Sequence, residues 1–152
     1  MAEIPAHVPL AATPHPAPVA GPAYWVRRVA WPLAIALLIF CASTRSQVAS
    51  PGFTRVDDKF AHFGAYGLLG TLVCRIRGAG WRSAGVSLLV VSAYGASDEW
   101  HQSFVPGRMS DAGDWVADTL GAALAIGLYT QWAWYRRLLE TPVWSRRQAD
   151  AR

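Results

Sequence analysis

Four apolar stretches, each closed by a polar or basic run, set the rhythm of the chain. The first extends from about Tyr24 to Ser43, with its uninterrupted part from Val29 to Ala42. That part alone is short for a membrane span. Trp25 and Arg27-Arg28 lengthen it, because arginine can reach back to the interface. Pro32 is read as sitting in the first turn, where a missing N–H costs least. The second stretch, Asp58 to Cys74, covers about 26 Å as a helix. Gly64, Gly67 and Gly70 recur in it at spacing three, and small residues on one face let helices approach closely in lipid. The third, Ser83 to Ser97, passes directly into Asp98-Glu99 and continues to Gln102 before Pro106-Gly107 stops it. The fourth runs from about Ala112 to Trp134, with Ser110 as its expected N-cap and Asp111 and Asp114 in its first turn.

This pattern predicts an all-α fold, a four-helix transmembrane bundle over residues 23–137. A disordered, Pro-rich tail over 1–22 precedes it and a basic tail over 138–152 follows. The first 22 residues hold six of the ten prolines and almost no charge, so they cannot build a core. They also lack the positive start of a signal peptide. Residues 44–57 form a polar loop with Pro51-Gly52 as its turn, and Arg75, Arg77 and Arg82 make a short basic loop with Gly78 and Gly80.

Composition agrees with a membrane setting. The 152 residues are 53% hydrophobic and 16% charged, against about 25% charged in soluble domains. Eight tryptophans cluster near the ends of the apolar stretches, where indole prefers the headgroup region. The net charge of +4 reads as a topology signal. Arg27, Arg28, Arg75, Arg77, Arg82, Arg136, Arg137, Arg146, Arg147 and Arg152 collect on one side of four spans; Arg45, Arg55, Lys59 and Arg108 fall on the other. Both termini are therefore expected in the cytoplasm, with loops 44–57 and 98–111 outside. No soluble segment interleaves aromatic and basic residues, so nucleic acid is not an expected partner. Cys41 and Cys74 form neither a disulfide framework nor a metal spacing and read as small buried hydrophobes.

The chemistry-bearing residues all lie at the outer ends. Asp58, His62 and Tyr66 share a face of the second helix, with Lys59 beside them. Asp57 reads as solvated, whereas His62 lies a turn deeper, where an ionisable group is a functional candidate. Asp98 and Gln102 are four apart, with Glu99 and His101 on neighbouring faces. Adjacent carboxylates repel unless a cation or proton intervenes, and Arg108, returned by the Pro106-Gly107 turn, is the expected cation; an anion such as phosphate is its other possible partner. Asp114 and Asp118 are four apart on the fourth helix, and Asp118 lies deep enough to need a partner among Lys59, His62 and Arg108. The set Asp58, His62, Asp98, Glu99, Asp114 and Asp118 has ligand types for a divalent cation. It lacks a recognised ligand spacing, so neither metal nor cofactor is assigned. There is no serine nucleophile elbow or Gly-rich phosphate loop.

The run Asp58-Lys59, His62-Phe63 and Tyr66, followed by Asp98-Glu99, Gln102, Phe104, Pro106-Gly107-Arg108, Asp114, Asp118 and Gly121, resembles the signature of VanZ-like membrane proteins. The resemblance covers roughly residues 57–121, and the four-helix layout matches as well. Asp118 stands where many relatives carry Asn. The resemblance implies a small, multi-pass bacterial plasma-membrane protein with its polar residues near the outer face. The family's founder is associated with low-level resistance to the glycopeptide teicoplanin. Three roles fit the cluster of Asp58, Lys59, His62, Tyr66, Asp98, Glu99, Gln102, Arg108, Asp114 and Asp118. It can bind or modulate an envelope component, namely a lipid headgroup, a cell-wall precursor or a glycopeptide. It can serve a membrane hydrolase acting on a lipid-linked phosphate, with His62, Asp98 or Glu99 as acid or base. Or it can be a salt-bridge lock that sets helix register.

Overall fold

Hydrogen bonding within each apolar stretch leaves the helix as the natural solution, and the computed structural model is all-α over the residues it describes, 21–44, 55–108 and 110–140. Residues 1–20 of the expected tail over 1–22, 45–54 of the expected loop over 44–57 and 141–152 of the expected tail over 138–152 lie outside them, whereas Arg55, Asp57, Leu138 and Glu140 fall in helices. Five helices are present among the described residues: α1 Pro22–Ser43, α2 Arg55–Arg77, α3 Trp81–Gln102, α4 Ala112–Gln131 and α5 Ala133–Glu140. α1 begins two residues before the expected start, at Pro22, whose fixed φ suits the first helical position, with extended Gly21 as N-cap. Pro32 accordingly falls inside the helix and not in its first turn. α2 ends on Gly78 at φ 93°, its N–H bonded to Cys74 O at 3.0 Å, the left-handed cap that glycine accepts at least cost. Between α3 and α4, Val105 to Arg108 form a turn with Pro106 second and Gly107 third at φ 81°, closed by Arg108 N–H to Val105 O at 3.1 Å.

α4 packs between α2 and α3, and α1 rests on α2 and α3. α2 and α4 approach most closely. A Cβ at Gly67 would lie 3.2 Å from Gly121 O, and one at Gly70 would lie 3.1 Å from Ala122; a Cβ at Gly121 would fall 2.1 Å from Phe63 O. Gly64 meets nothing within 4 Å, so the close face uses two of the three regularly spaced glycines. Tyr66, Leu69, Cys74, Val91, Ala122, Ile126 and Tyr129 fill the centre. Tyr94 Oη donates to Ala36 O at 2.7 Å, joining α3 to α1, and the Ser92 and Thr119 hydroxyls meet at 2.9 Å, joining α3 to α4. Cys74 is buried as expected, but Cys41 is exposed because its face of α1 points away from the bundle.

Among the described residues α1 alone is both long and apolar enough to cross a membrane, and only 11% of its most apolar window is buried. The fourth stretch is also not one helix. α4 stops at Gln131, Trp132 is extended, and α5 turns back. The turn brings Glu140 to α1 and α2. Its Oε1 accepts from Arg75 Nε at 3.1 Å and from Tyr129 Oη at 2.8 Å, and its Oε2 pairs with Arg28. Both carboxylate oxygens at this end of the bundle are thus satisfied.

Candidate functional site

At the opposite end, the last turns of α1 and α3 meet the first turns of α2 and α4. Connectivity forces this: short links make α2 and α4 run the same way, antiparallel to α1 and α3. Lys59 and His62 descend from the start of α2, Asp111, Asp114 and Asp118 from the start of α4, and Asp98, Glu99 and Gln102 close α3.

The outermost layer is an ion pair shared by three groups. Lys59 Nζ donates to Asp114 Oδ1 at 2.6 Å and to Asp111 Oδ2 at 2.9 Å. Asp111, not Ser110, caps α4, its Oδ1 accepting from Gly113 N–H at 2.7 Å. An ionised carboxylate is the stronger acceptor beside the positive helix end. Ser110 turns its hydroxyl to Glu99 Oε2 at 3.3 Å, and Asp111 N–H bonds the same oxygen at 2.8 Å.

Beneath lies Asp98, 3% exposed. Its Oδ2 accepts from Ser43 Oγ at 2.8 Å and from Gln102 Nε2 at 3.1 Å. The expected Arg108–carboxylate pair does not form. Arg108 makes no ion pair with Asp98 or Glu99, and its Nε is buried without a hydrogen-bond partner. Neutral donors on α1 and α3 and the backbone at the start of α4 have taken those carboxylates instead.

The deepest layer is His62 Nδ1 against Asp118 Oδ1 at 3.0 Å, with Asp118 fully buried. Asp118 enters about two turns below the start of α4. Gly95 on α3 makes room: a Cβ there would lie 3.1 Å from Asp118 Oδ2. Tyr66 is fully buried, with its ring parallel to His62 at 6.1 Å. Asp58 brings a carboxylate oxygen within 4.8 Å of ligating atoms of His62 and Asp114. Asp57 is exposed.

The structure therefore gathers Asp58, Lys59, His62, Tyr66, Asp98, Glu99, Gln102, Asp114 and Asp118, and leaves Arg108 without the assigned carboxylate. Ser43, Gly95 and Asp111 belong to the same assembly. Only helix-end position hinted at Ser43, and Gly95 carried no chemical signal at all. Asp98 Oδ1, Glu99 Oε1, Asp118 Oδ2 and the Tyr66 hydroxyl are buried with no hydrogen-bond partner. Buried polar atoms are normally satisfied, and an unpaired one costs about 1–3 kcal/mol. Three carboxylate oxygens and one hydroxyl in one place face the interior. The arrangement can take up protons, hydrogen-bond donors or a cation.

A family model described as VanZ/LLP1 matches residues 21–135. Neither a curated protein nor a solved structure gives a match.

Proposed function

The chain belongs to the VanZ/LLP1 family, and from that premise we propose that it is a multi-pass plasma-membrane protein that holds the polar head of an envelope component. Four helices would cross the bilayer, with both termini in the cytoplasm. Large apolar side chains support this by facing outward on every long helix: Leu33, Leu37 and Leu38 on α1, Leu68 on α2, Leu89 and Val90 on α3, and Leu120 and Leu124 on α4. Such faces suit lipid, and polar groups then converge inside, where lipid cannot reach.

The unpartnered acceptors beneath Lys59 carry the ligand reading. A ligand with both anionic oxygens and donor groups suits them: the anion would meet Arg108 and Lys59, and hydroxyl or amide hydrogens would reach the carboxylates. A lipid-linked cell-wall precursor has that chemistry, with its chain lying against the apolar exterior. A glycopeptide that offers amides and hydroxyls is the alternative occupant. The opposite end of the bundle argues against a pure structural lock, because there Glu140 has both oxygens paired.

Native mass spectrometry of the gently purified protein tests the reading. A lipid-linked precursor should co-purify with the wild-type chain and be reduced in Arg108→Gln at equal abundance. Absence of such a lipid, together with unchanged glycopeptide susceptibility on expression, would remove it. The buried His62–Asp118 pair favours a second reading, hydrolysis of a lipid-linked phosphate with His62 as general base. Release of phosphate from a panel of lipid phosphates, lost in His62→Ala, would replace binding by turnover.

A further inference from the structure

The deepest layer holds more than a hydrogen-bonded pair. A ligating nitrogen of His62 and one carboxylate oxygen each from Glu99 and Asp118 lie within 4.8 Å of one another. The three side chains come from α2, α3 and α4, so the grouping is a product of the fold and not of one helix end. Asp118 is 0% and Glu99 5% exposed, and the His62 side chain is 11% exposed. Two of the oxygens, Glu99 Oε1 and Asp118 Oδ2, have no hydrogen-bond partner. Two carboxylates brought this close in a buried place repel unless something positive lies between them.

We infer that His62, Glu99 and Asp118 form a binding site for a divalent cation of the Zn²⁺ or Mn²⁺ class. The spacing suits one. Neighbouring ligands on a cation with bonds of about 2.1 Å stand about 3.4 Å apart in a tetrahedral shell and about 3 Å apart in an octahedral one, and His62 Nδ1 lies 3.0 Å from Asp118 Oδ1. Imidazole selects this class over Ca²⁺ and Mg²⁺, which prefer all-oxygen shells. The ligands are also held in place from behind, as metal ligands usually are. Glu99 Oε2 is fixed by Asp111 N–H and Ser110 Oγ, and Asp118 lies against Gly95. Three protein ligands leave coordination positions open to water or to an oxygen of a second ligand.

A neighbouring group, Asp58, His62 and Asp114, has comparable spacing, but electrostatics decides against it. The Lys59 ammonium sits 2.6 Å from Asp114 Oδ1, occupying that oxygen and repelling a cation. In the inner set no described side-chain cation pairs with Glu99 or Asp118 other than His62 itself.

The site does not depend on the headgroup reading, since a cation can be held without a lipid. The test is metal content of the intact protein in mild detergent, stripped with a chelator, reloaded with ZnCl₂ or MnCl₂ and desalted. About one ion per chain is expected, and Mn²⁺ bound to the wild type should show nitrogen coupling from His62 in pulsed electron paramagnetic resonance. Glu99→Gln and Asp118→Asn should each cut retained metal at least about tenfold, the effect that losing an outer-shell partner of a ligand already has, while Asp57→Asn leaves it unchanged. Wild-type protein that retains no metal, or Mn²⁺ without nitrogen coupling, overturns the assignment. So does full retention in both ligand variants. If either variant fails to fold, the wild-type spectrum decides. Metal bound with no co-purifying lipid and with unchanged glycopeptide susceptibility would remove the envelope-ligand reading and leave the metal site standing.

Discussion

A single methyl group at Gly121 decides whether α2 and α4 can meet. The Cβ of an alanine there would fall 2.1 Å from the Phe63 carbonyl oxygen, and backbone cannot rotate away as a flexible side chain would. Overpacking of this kind typically costs about 1–3 kcal/mol, so Gly121→Ala should lower the unfolding midpoint in detergent clearly. Gly64→Ala is the control, because nothing lies within 4 Å of its added Cβ. It should leave stability unchanged or raise it by about 0.5–1 kcal/mol, the usual difference between Gly and Ala in a helix. Equal losses in both variants would mean that close approach is not what holds the pair together. The spacing of Gly64, Gly67 and Gly70 announced a packing face, yet periodicity could not say which members are used, since that depends on the crossing point of the partner helix. Arg108 shows the same limit. Its charge singled it out, but which carboxylate it would meet rested on loop geometry that sequence spacing does not encode.

At the scale of the element, the start of α4 is both a helix cap and the rim of the site. Asp111 caps it through Gly113 N–H and also receives Lys59. Asp111→Asn keeps an oxygen for the cap and loses the charge. Asp111→Ala loses both. The cap is worth about 1 kcal/mol, whereas the pair with Lys59 is partly open to solvent on both sides and weakened by screening. Chemical denaturation in micelles should therefore rank wild type, Asp111→Asn and Asp111→Ala in that order, with the larger step at alanine. A larger step at asparagine would shift the weight to the ion pair. Ser110 and Asp111 are both good caps on sequence grounds; the stronger carboxylate acceptor and the competing pull of Glu99 on Ser110 separate them. The end of α4 was equally hard to place. Apolar character continues through Trp134, but the chain turns at Trp132 so that Glu140 can reach Arg28 and Arg75. That contact is long-range and leaves no trace in a local hydropathy pattern.

Over the whole molecule, charge is sorted by end. Arg28, Arg75 and Glu140 meet at one end; Lys59, Asp98, Glu99, Asp111 and Asp114 meet at the other. This sorting was legible early, because helix parity together with arginine positions assigns every loop a side without any knowledge of packing. Parity alone does not say which end faces the cytoplasm; the proposed orientation rests on the arginine excess. The orientation can be read with single cysteines in a Cys41→Ser, Cys74→Ala background. Ser103 and Gly80 are exposed at opposite ends, and a side chain at Gly80 meets nothing within 4 Å. In intact cells a membrane-impermeant maleimide should label Ser103→Cys, and it should reach Gly80→Cys only after permeabilisation. The reverse pattern would place the acidic end in the cytoplasm and exclude an extracellular glycopeptide as its ligand. Equal labelling of both positions in intact cells would contradict the proposed four spans, because Gly80 would then lie on the same accessible side as Ser103 despite the length of α3 between them.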